Sequence, residues 1–344
     1  MAKQARRNHF VSQFYLGGFT DTGDKYGKFW VFDLQDDGCS RIGTPVNEAV
    51  RKDFNRINAP GIDQNIVEDL LGQIESNAAP IIRRMAQNHT LPEGDDFVNL
   101  IYFVAGQAGR TLHFRQKLTT YNELDSKRYL RSKVATREEW ENTLEQARRN
   151  GFVESTTVTY EQMKRFVDRD NYRIDVPQNR LILDFLDHFE PFARDLSVLN
   201  WSLVVKRDGA GYFICSDNPV AIFPTVEIPR RPSGSRLQCR PQIMMPLNTD
   251  LALFISDKLL PKVLYANCSK VSELNTNTAD VATRHLYSLK PDFMWRRDDG
   301  TIGGSCEYTL TRDSRLARAP RAITLEEAFF SEPKSVLPPA QDPA

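Results

Sequence analysis

Cysteine is scarce in this sequence and widely scattered. There are five, at positions 39, 215, 239, 268 and 306, and no C-x-x-C pair. That argues against a disulfide framework or a zinc ribbon and points to a reducing compartment, the cytoplasm. Net charge is also absent: 45 basic residues balance 45 acidic ones, so no global field draws the chain to nucleic acid or to an anionic membrane. No apolar run approaches the ~20 residues needed to span a bilayer. The opening MAKQARRNHF is basic but lacks the hydrophobic stretch of a secretory signal. G-x-G-x-x-G, G-x-x-x-x-G-K-[ST], H-E-x-x-H and G-x-S-x-G are all missing, and with them the familiar signatures of dinucleotide, triphosphate, zinc-protease and serine-hydrolase chemistry. There is no internal repeat.

What remains is a globular composition of 344 residues, 40% hydrophobic and 26% charged, enough for one large domain or two ordinary ones. GKFWVFDLQDDG reads as an aromatic strand closing in an Asp-Asp-Gly turn, with CSRIGT as its hairpin partner. Residues 10–35 as a whole read as short extended pieces. From Asp63 the period turns helical, with Ile66, Leu70, Ile74 and Ala78 at helical spacing until Pro80 kinks the run. Phe97, Leu100, Ile101, Val104, Ala108 and Leu112 predict a helix with one core face. Thr136 with Glu139, and Thr159 with Gln162, predict capping boxes. Pro177 suits the first turn of the next helix.

After about residue 197 the period changes. VLNWSLVVKRDGAGYFICS predicts a hairpin through Asp208-Gly209, and QIMMPLNTDLALFIS two strands around Asn248-Thr249-Asp250. SELNTNTADVATRHLYSL returns to helix, and the Pro-rich end reads as disordered. The fold class is therefore α+β: short N-terminal strands, a helical middle, and an antiparallel β-rich C-terminal half with a closing helix. The expected division is residues 1–196 and 197–330, packing as one unit, with a tail at 331–344.

Candidate chemistry lies in four places. His9 in NHFVSQFYLGGFT titrates near neutrality, which suits proton transfer. In GQAGRTLHFR, Gln107, Arg110 and Phe114 fall about a helical turn apart. An arginine beside a buried stripe needs a carboxylate or an anionic ligand. The helical Gly106 and Gly109 suggest a close neighbour. In YFICSDNPVAIF, Ser216, Asp217, Asn218 and Pro219 form either a simple turn or a polar site at the end of a core strand, with Arg110 or Arg284 on the carboxylate. In LNTNTADVATRH, Asn275, Asp280, Arg284 and His285 fall in or near one helix, where Asp280 and Arg284 can simply pair. Asp184 and His188 in LDFLDHFE mimic metal-ligand spacing, but no second cluster answers them and a solvated helix face explains them better.

The ordered set of these segments resembles the family catalogued as domain of unknown function 4238. NHFVSQFYLGGFTD is similar to its opening, with His9, Phe10, Val11, Gln13, Tyr15, Leu16 and Phe19 matching and Ser12 standing where the family has Pro. The similarity continues through FWVFD, QIESNAAPIIRRM, Gln107-x-x-Arg110-Thr111, SDNPV, MPLNTDLALFI and LNTNTADVATRHLYS, to about residue 290. The family's activity is uncharacterised, so the resemblance implies which residues belong together and nothing about what they do.

The resulting expectation is an intracellular hydrolase acting on a phosphate-containing or nucleic-acid ligand. Arg110 and Arg284 hold the anion, with Gln107 and Asn275 beside them. Asp217 acts as base or binds at most one divalent metal, His9 transfers the proton and Asn218 orients the substrate. No membrane is involved. The alternative is a non-catalytic binding or regulatory module, as in bacterial or phage conflict systems, in which the same residues form a buried structural network.

Overall fold

The computed structural model describes residues 7–36, 40–153, 156–224 and 241–316. Cys39, Cys239, the end of the Asp-Asp-Gly turn, the first six residues and the Pro-rich tail lie outside the described residues. The chain opens with β1 (Arg7–His9), α1 (Gln13–Gly17), β2 (Phe29–Asp33), β3 (Ser40–Gly43) and β4 (Val50–Lys52). A helical stretch follows: α2 (Ile66–Asn88), α3 (Gly94–Gly109), α4 (Leu112–Lys133), α5 (Arg137–Arg149), α6 (Tyr160–Arg169) and α7 (Gln178–Ser197). The remainder is β5 (Asn200–Lys206), β6 (Cys215–Ser216), β7 (Ala221–Pro224), β8 (Pro241–Pro246), β9 (Leu251–Ser256), β10 (Val263–Ala266), α8 (Cys268–Asp280), β11 (His285–Ser288), β12 (Trp295–Arg296), β13 (Ile302–Gly303) and α9 (Ser305–Leu316). This is the α+β arrangement that the change of period predicts.

Local chemistry starts several of these elements. Ser12 accepts a hydrogen bond from the Tyr15 amide and opens α1, so the segment read as extended is partly helical. Thr111 caps α4 through the Phe114 amide. Thr159 and Gln162 complete the capping box of α6, whereas Thr136 supplies only the side-chain half before α5. Helix α2 buries Val67, Leu71, Ala78, Ile81, Ile82 and Met85, and leaves Ile66 and Leu70 outward. Ala78 is buried and Ile74 packs against the core as expected, while Val67 and Leu71 take the core positions expected of Ile66 and Leu70.

Two main sheets result. One has the order β10-β5-β9-β8-β7 and the other β3-β2-β11-β6. The β2–β3 and β8–β9 hairpins form as the turn residues predict. The hairpin through Asp208-Gly209 does not form: β5 pairs with β9 and β10, and β6 pairs with β11 in the other sheet. The turn closes at its own base, where the Ala210 amide bonds the Arg207 carbonyl. The apolar run beyond it is claimed by tertiary partners. Likewise the helix expected over 272–289 ends at Asp280, and 285–288 is β11, antiparallel to β2. His285, Leu286 and Tyr287 alternate as a strand needs.

One buried cluster draws on both halves, from Phe10, Tyr15, Leu100 and Phe103 to Trp201, Leu253 and Ile255. The Phe97 and Trp201 rings meet edge to face at 5.1 Å. Gly109 lies against the Phe185 ring, so an added Cβ would sit 2.4 Å from a ring carbon. A helix–helix contact therefore explains that glycine, and no ligand is needed.

Candidate functional site: a cleft along helix α2

The start of the chain folds back on the helical layer. Arg110 follows the last residue of α3, its amide bonded to the Gly106 carbonyl. Arg110 is not on a shared face with Phe114, which belongs to α4. Its buried guanidinium donates to Glu75 of α2 and to the His9 carbonyl, while its Nε has no partner. Gln107, also buried, receives the Ser12 amide at 3.5 Å. The His9 ring is held at both ends. Its Nε2 lies 3.3 Å from the Val46 carbonyl, and the Gln13 side-chain nitrogen lies 3.1 Å from both ring nitrogens. Burial pulls the ring below its usual pKa, and Arg110 and Arg7 add to the lowering against the pull of Val46. The imidazole is neutral at pH 7.

Of these, His9, Gln13, Glu75 and Arg110 line a cleft of about 700 Å³ between α2, α1 with the loop that follows it, and the 247–250 turn; Gln107 does not. Glu68, Gly72, Glu75 and Arg83 of α2 form one wall. Lys25 and Tyr26 come from the loop after α1. That loop is fixed by packing, since a Cβ on Gly17 would meet the Asp24 backbone at 2.9 Å. It is also fixed by Asp24, which accepts the Tyr26 and Gly27 amides at 2.8 and 3.0 Å. Behind the cleft, buried Arg115 lies 4.5 Å from the Phe54 ring centre and donates to Asn55 at 3.3 Å. Burial alone brings its pKa down to about 10. The Asn55 amide in turn donates to Glu68 at 2.9 Å, so the nearest relayed carboxylate stands at the cleft wall.

The second set of predicted residues lies elsewhere. Asp217 is buried, but no arginine side chain among the described residues reaches it. Its carboxylate accepts the main-chain amides of Thr283, Arg284 and His285 at 2.8, 2.8 and 3.1 Å. Burial pushes its pKa up, against the pull of those three donors. Asn218 donates to the Val281 carbonyl at 3.0 Å. Asn275 accepts the Ile214 amide and donates to the Tyr212 and Met294 carbonyls. Together they clasp the chain around β6 to α8 and its exit. The Arg284 side chain turns outward and forks onto Asp33 at 2.7–3.0 Å.

The expected convergence of His9, Arg110, Asp217 and Arg284 therefore does not occur. His9, Gln107 and Arg110 come together, as do Asp217, Asn218 and Asn275, but the second group does not line the cleft. The physical reason is that each expected partner finds a nearer one: Glu75 for Arg110, Asp33 for Arg284, and backbone amides for Asp217. Asp184, too, is committed inside the protein, to Arg180 and Asn122. Among the described residues, no group of three or more His, Cys, Asp or Glu side chains is placed to hold a metal ion.

Sequence reasoning missed Glu68, Glu75, Lys25, Tyr26 and Arg83. The buried Arg110 signalled that a carboxylate was needed, but a single sequence does not say which. No helix among the described residues is long and apolar enough to cross a membrane. The family described as "Protein of unknown function (DUF4238)" matches residues 7–292. No curated protein and no solved structure matches the chain.

Proposed function

The chain belongs to the DUF4238 family of proteins of unknown function, and we propose that it binds a phosphate-bearing ligand in the α2 cleft. The observation that carries this reading is which charges remain uncommitted. Two of the acids at the cleft are ion-paired, Glu75 with Arg110 and Asp250 with Lys206 at 3.2 Å, while Asp24 and Glu68 are hydrogen-bonded by neutral amides. Arg110 is neutralised in turn. Lys25 and Arg83 have no carboxylate partner among the described residues, and each lies by an aromatic ring, Tyr26 at 5.1 Å and Phe14 at 5.7 Å. Uncommitted cations at a concave wall suit an anion.

His9, Gln107 and Arg110 then act as the frame of the cleft. With both ring nitrogens engaged, His9 is poorly placed as a base, and Asp217, Asn218, Asn275 and Arg284 serve the fold. Binding without catalysis is the reading supported best, and hydrolysis is the second. We take the two halves, divided near residue 197, to work as one unit because they share a core cluster. We place that unit in a reducing compartment, in keeping with the free thiols of Cys215, Cys268 and Cys306. Calorimetric titration with inorganic phosphate and AMP tests the proposal, alongside phosphate release from AMP. Saturable binding lost in Arg83→Glu supports it. Absence of binding to every phosphate compound overturns it, and turnover of a bound compound replaces the binding reading with the hydrolytic one.

A further inference from the structure

Among the described residues the two main sheets end in β10, β7, β3 and β6, and three of these edges are guarded. Strand β3 carries the exposed Arg41, β7 carries Pro224, and β6 is two residues long and buried. Charge, proline and shortness each discourage a further strand. Strand β10 reads VLYA, with neither charge nor proline. It pairs in parallel with β5, the Leu203 amide bonding the Lys262 carbonyl and the Arg207 amide the Ala266 carbonyl. The residues that face a neighbour alternate along a strand, so Lys262, Leu264 and Ala266 turn their main-chain groups to β5. The amides and carbonyls of Val263 and Tyr265 point the other way, where no described segment pairs with them. Apolar side chains stand open beside this edge. Tyr265 is 54% exposed, and Leu259, in the lead-in to the strand, is 85% exposed.

We infer that a second copy of this chain pairs with this edge, β10 against β10, antiparallel about a two-fold axis at Leu264. In that register Val263 of each copy stands opposite the partner's Tyr265. Both residues present outward amides and carbonyls, so each such pair exchanges two hydrogen bonds. Val263 packs on the main core cluster and is only partly buried. The partner's Tyr265 ring then covers it, a β-branched–aromatic pair of the kind that stabilises sheets. Charge does not oppose the contact. Lys262 falls opposite the partner's Ala266 rather than another lysine. The chain's 45 basic and 45 acidic residues leave no net repulsion between copies. A charged partner would find no complementary charge on VLYA, so an identical uncharged edge fits better. The two five-stranded sheets then run on as one, and a two-fold contact closes at two copies.

Sedimentation velocity of the full chain, from about 1 to 200 μM, tests this, because so small an interface is expected to hold with micromolar affinity. The sedimenting species should move from one copy to two across that range. Tyr265→Lys puts a charge on the edge, and Tyr265→Pro removes an outward amide that bonds to no described residue. Each change occurs twice in the dimer and should weaken it at least about tenfold. The far-UV circular dichroism should stay as in the parent, and the lysine variant keeps the test valid if proline disturbs β10. Ile222→Lys, on the β7 edge of the same sheet, should leave the dimer intact. A parent that stays monomeric throughout overturns the inference, and so does a dimer that both Tyr265 variants keep. A dimer that Ile222→Lys abolishes, or a species that grows past two copies, overturns it as well.

Discussion

Asp217→Asn separates a structural role for the inner clasp from a catalytic one. The replacement keeps the shape and removes one acceptor. An Asn oxygen in the place of Oδ2 still takes the Arg284 and His285 amides. The new NH₂ then faces the Thr283 amide, donor against donor, where Oδ1 accepted at 2.8 Å. An unmet buried N–H costs about 1–3 kcal/mol. The two surviving bonds fall from charge-assisted to neutral strength, roughly 1 kcal/mol each. Part of this is returned, because the carboxylate no longer has to be held charged in an apolar setting, the same effect that raises its pKa. The net expectation is about 3 kcal/mol of destabilisation, or roughly 6 °C in Tm for a chain of this size. Differential scanning calorimetry and urea unfolding read it, with the urea slope unchanged. Inorganic phosphate affinity, measured well below the melting range, should equal that of the parent. A Tm within about 1 °C of the parent refutes the clasp, and normal stability with lost binding or turnover returns Asp217 to the functional site.

Four further outcomes are expected. His9 has its pKa lowered on folding, so the unfolded chain takes up the proton first as pH falls. Its contribution is therefore complete above about pH 6.5 and is lost as pH drops through the lowered folded value. His9→Gln should flatten the Tm profile below about pH 6.5, and the ring's NMR titration midpoint in the parent should fall below 6.5. Arg110→Met strips the donor from Glu75 and from the His9 carbonyl and should cost about 3–5 kcal/mol. By contrast, Arg284→Ala loses an outward fork onto Asp33 and should leave the urea midpoint nearly unchanged. Gly109→Ala drives a methyl into the Phe185 ring and should destabilise by about 1–3 kcal/mol, with Phe185→Leu recovering part of the loss.

The sequence made the order of elements legible because period and capping are local properties. The hairpin signal at Asp208-Gly209 failed because turn chemistry reports only that the chain bends, and the pairing of β5 with β9 and β10 is decided by distant strands. The α8-to-β11 boundary was hidden for a similar reason. NTADVATRHLYS carries no Gly or Pro, and the break after Asp280 is held by the Asp217 carboxylate from 63 residues earlier in the chain. The polar residues inferred as special from the sequence are buried and bonded, whether at the cleft or away from it: Gln107, Arg110, Asp217, Asn218 and Asn275. Burial of polar groups shows in a sequence as polar residues set in apolar surroundings. Which of them meet, and which face open space, does not. Lys25 and Arg83 look like ordinary surface charges until the fold sets them across one cleft.

The smaller sheet joins the two ends of the described chain. Strand β2, complete by Asp33, pairs along one edge with β11, which begins at His285. On the ribosome, β2 therefore emerges some 250 residues ahead of its neighbour, with an unpaired row of amides and carbonyls. Only β3 can cover its other edge early. Such a distant pairing slows folding and leaves a nascent chain dependent on completing translation. A product truncated before β11 would carry an open, aromatic-rich edge, with Phe29, Trp30 and Phe32 available for misassembly.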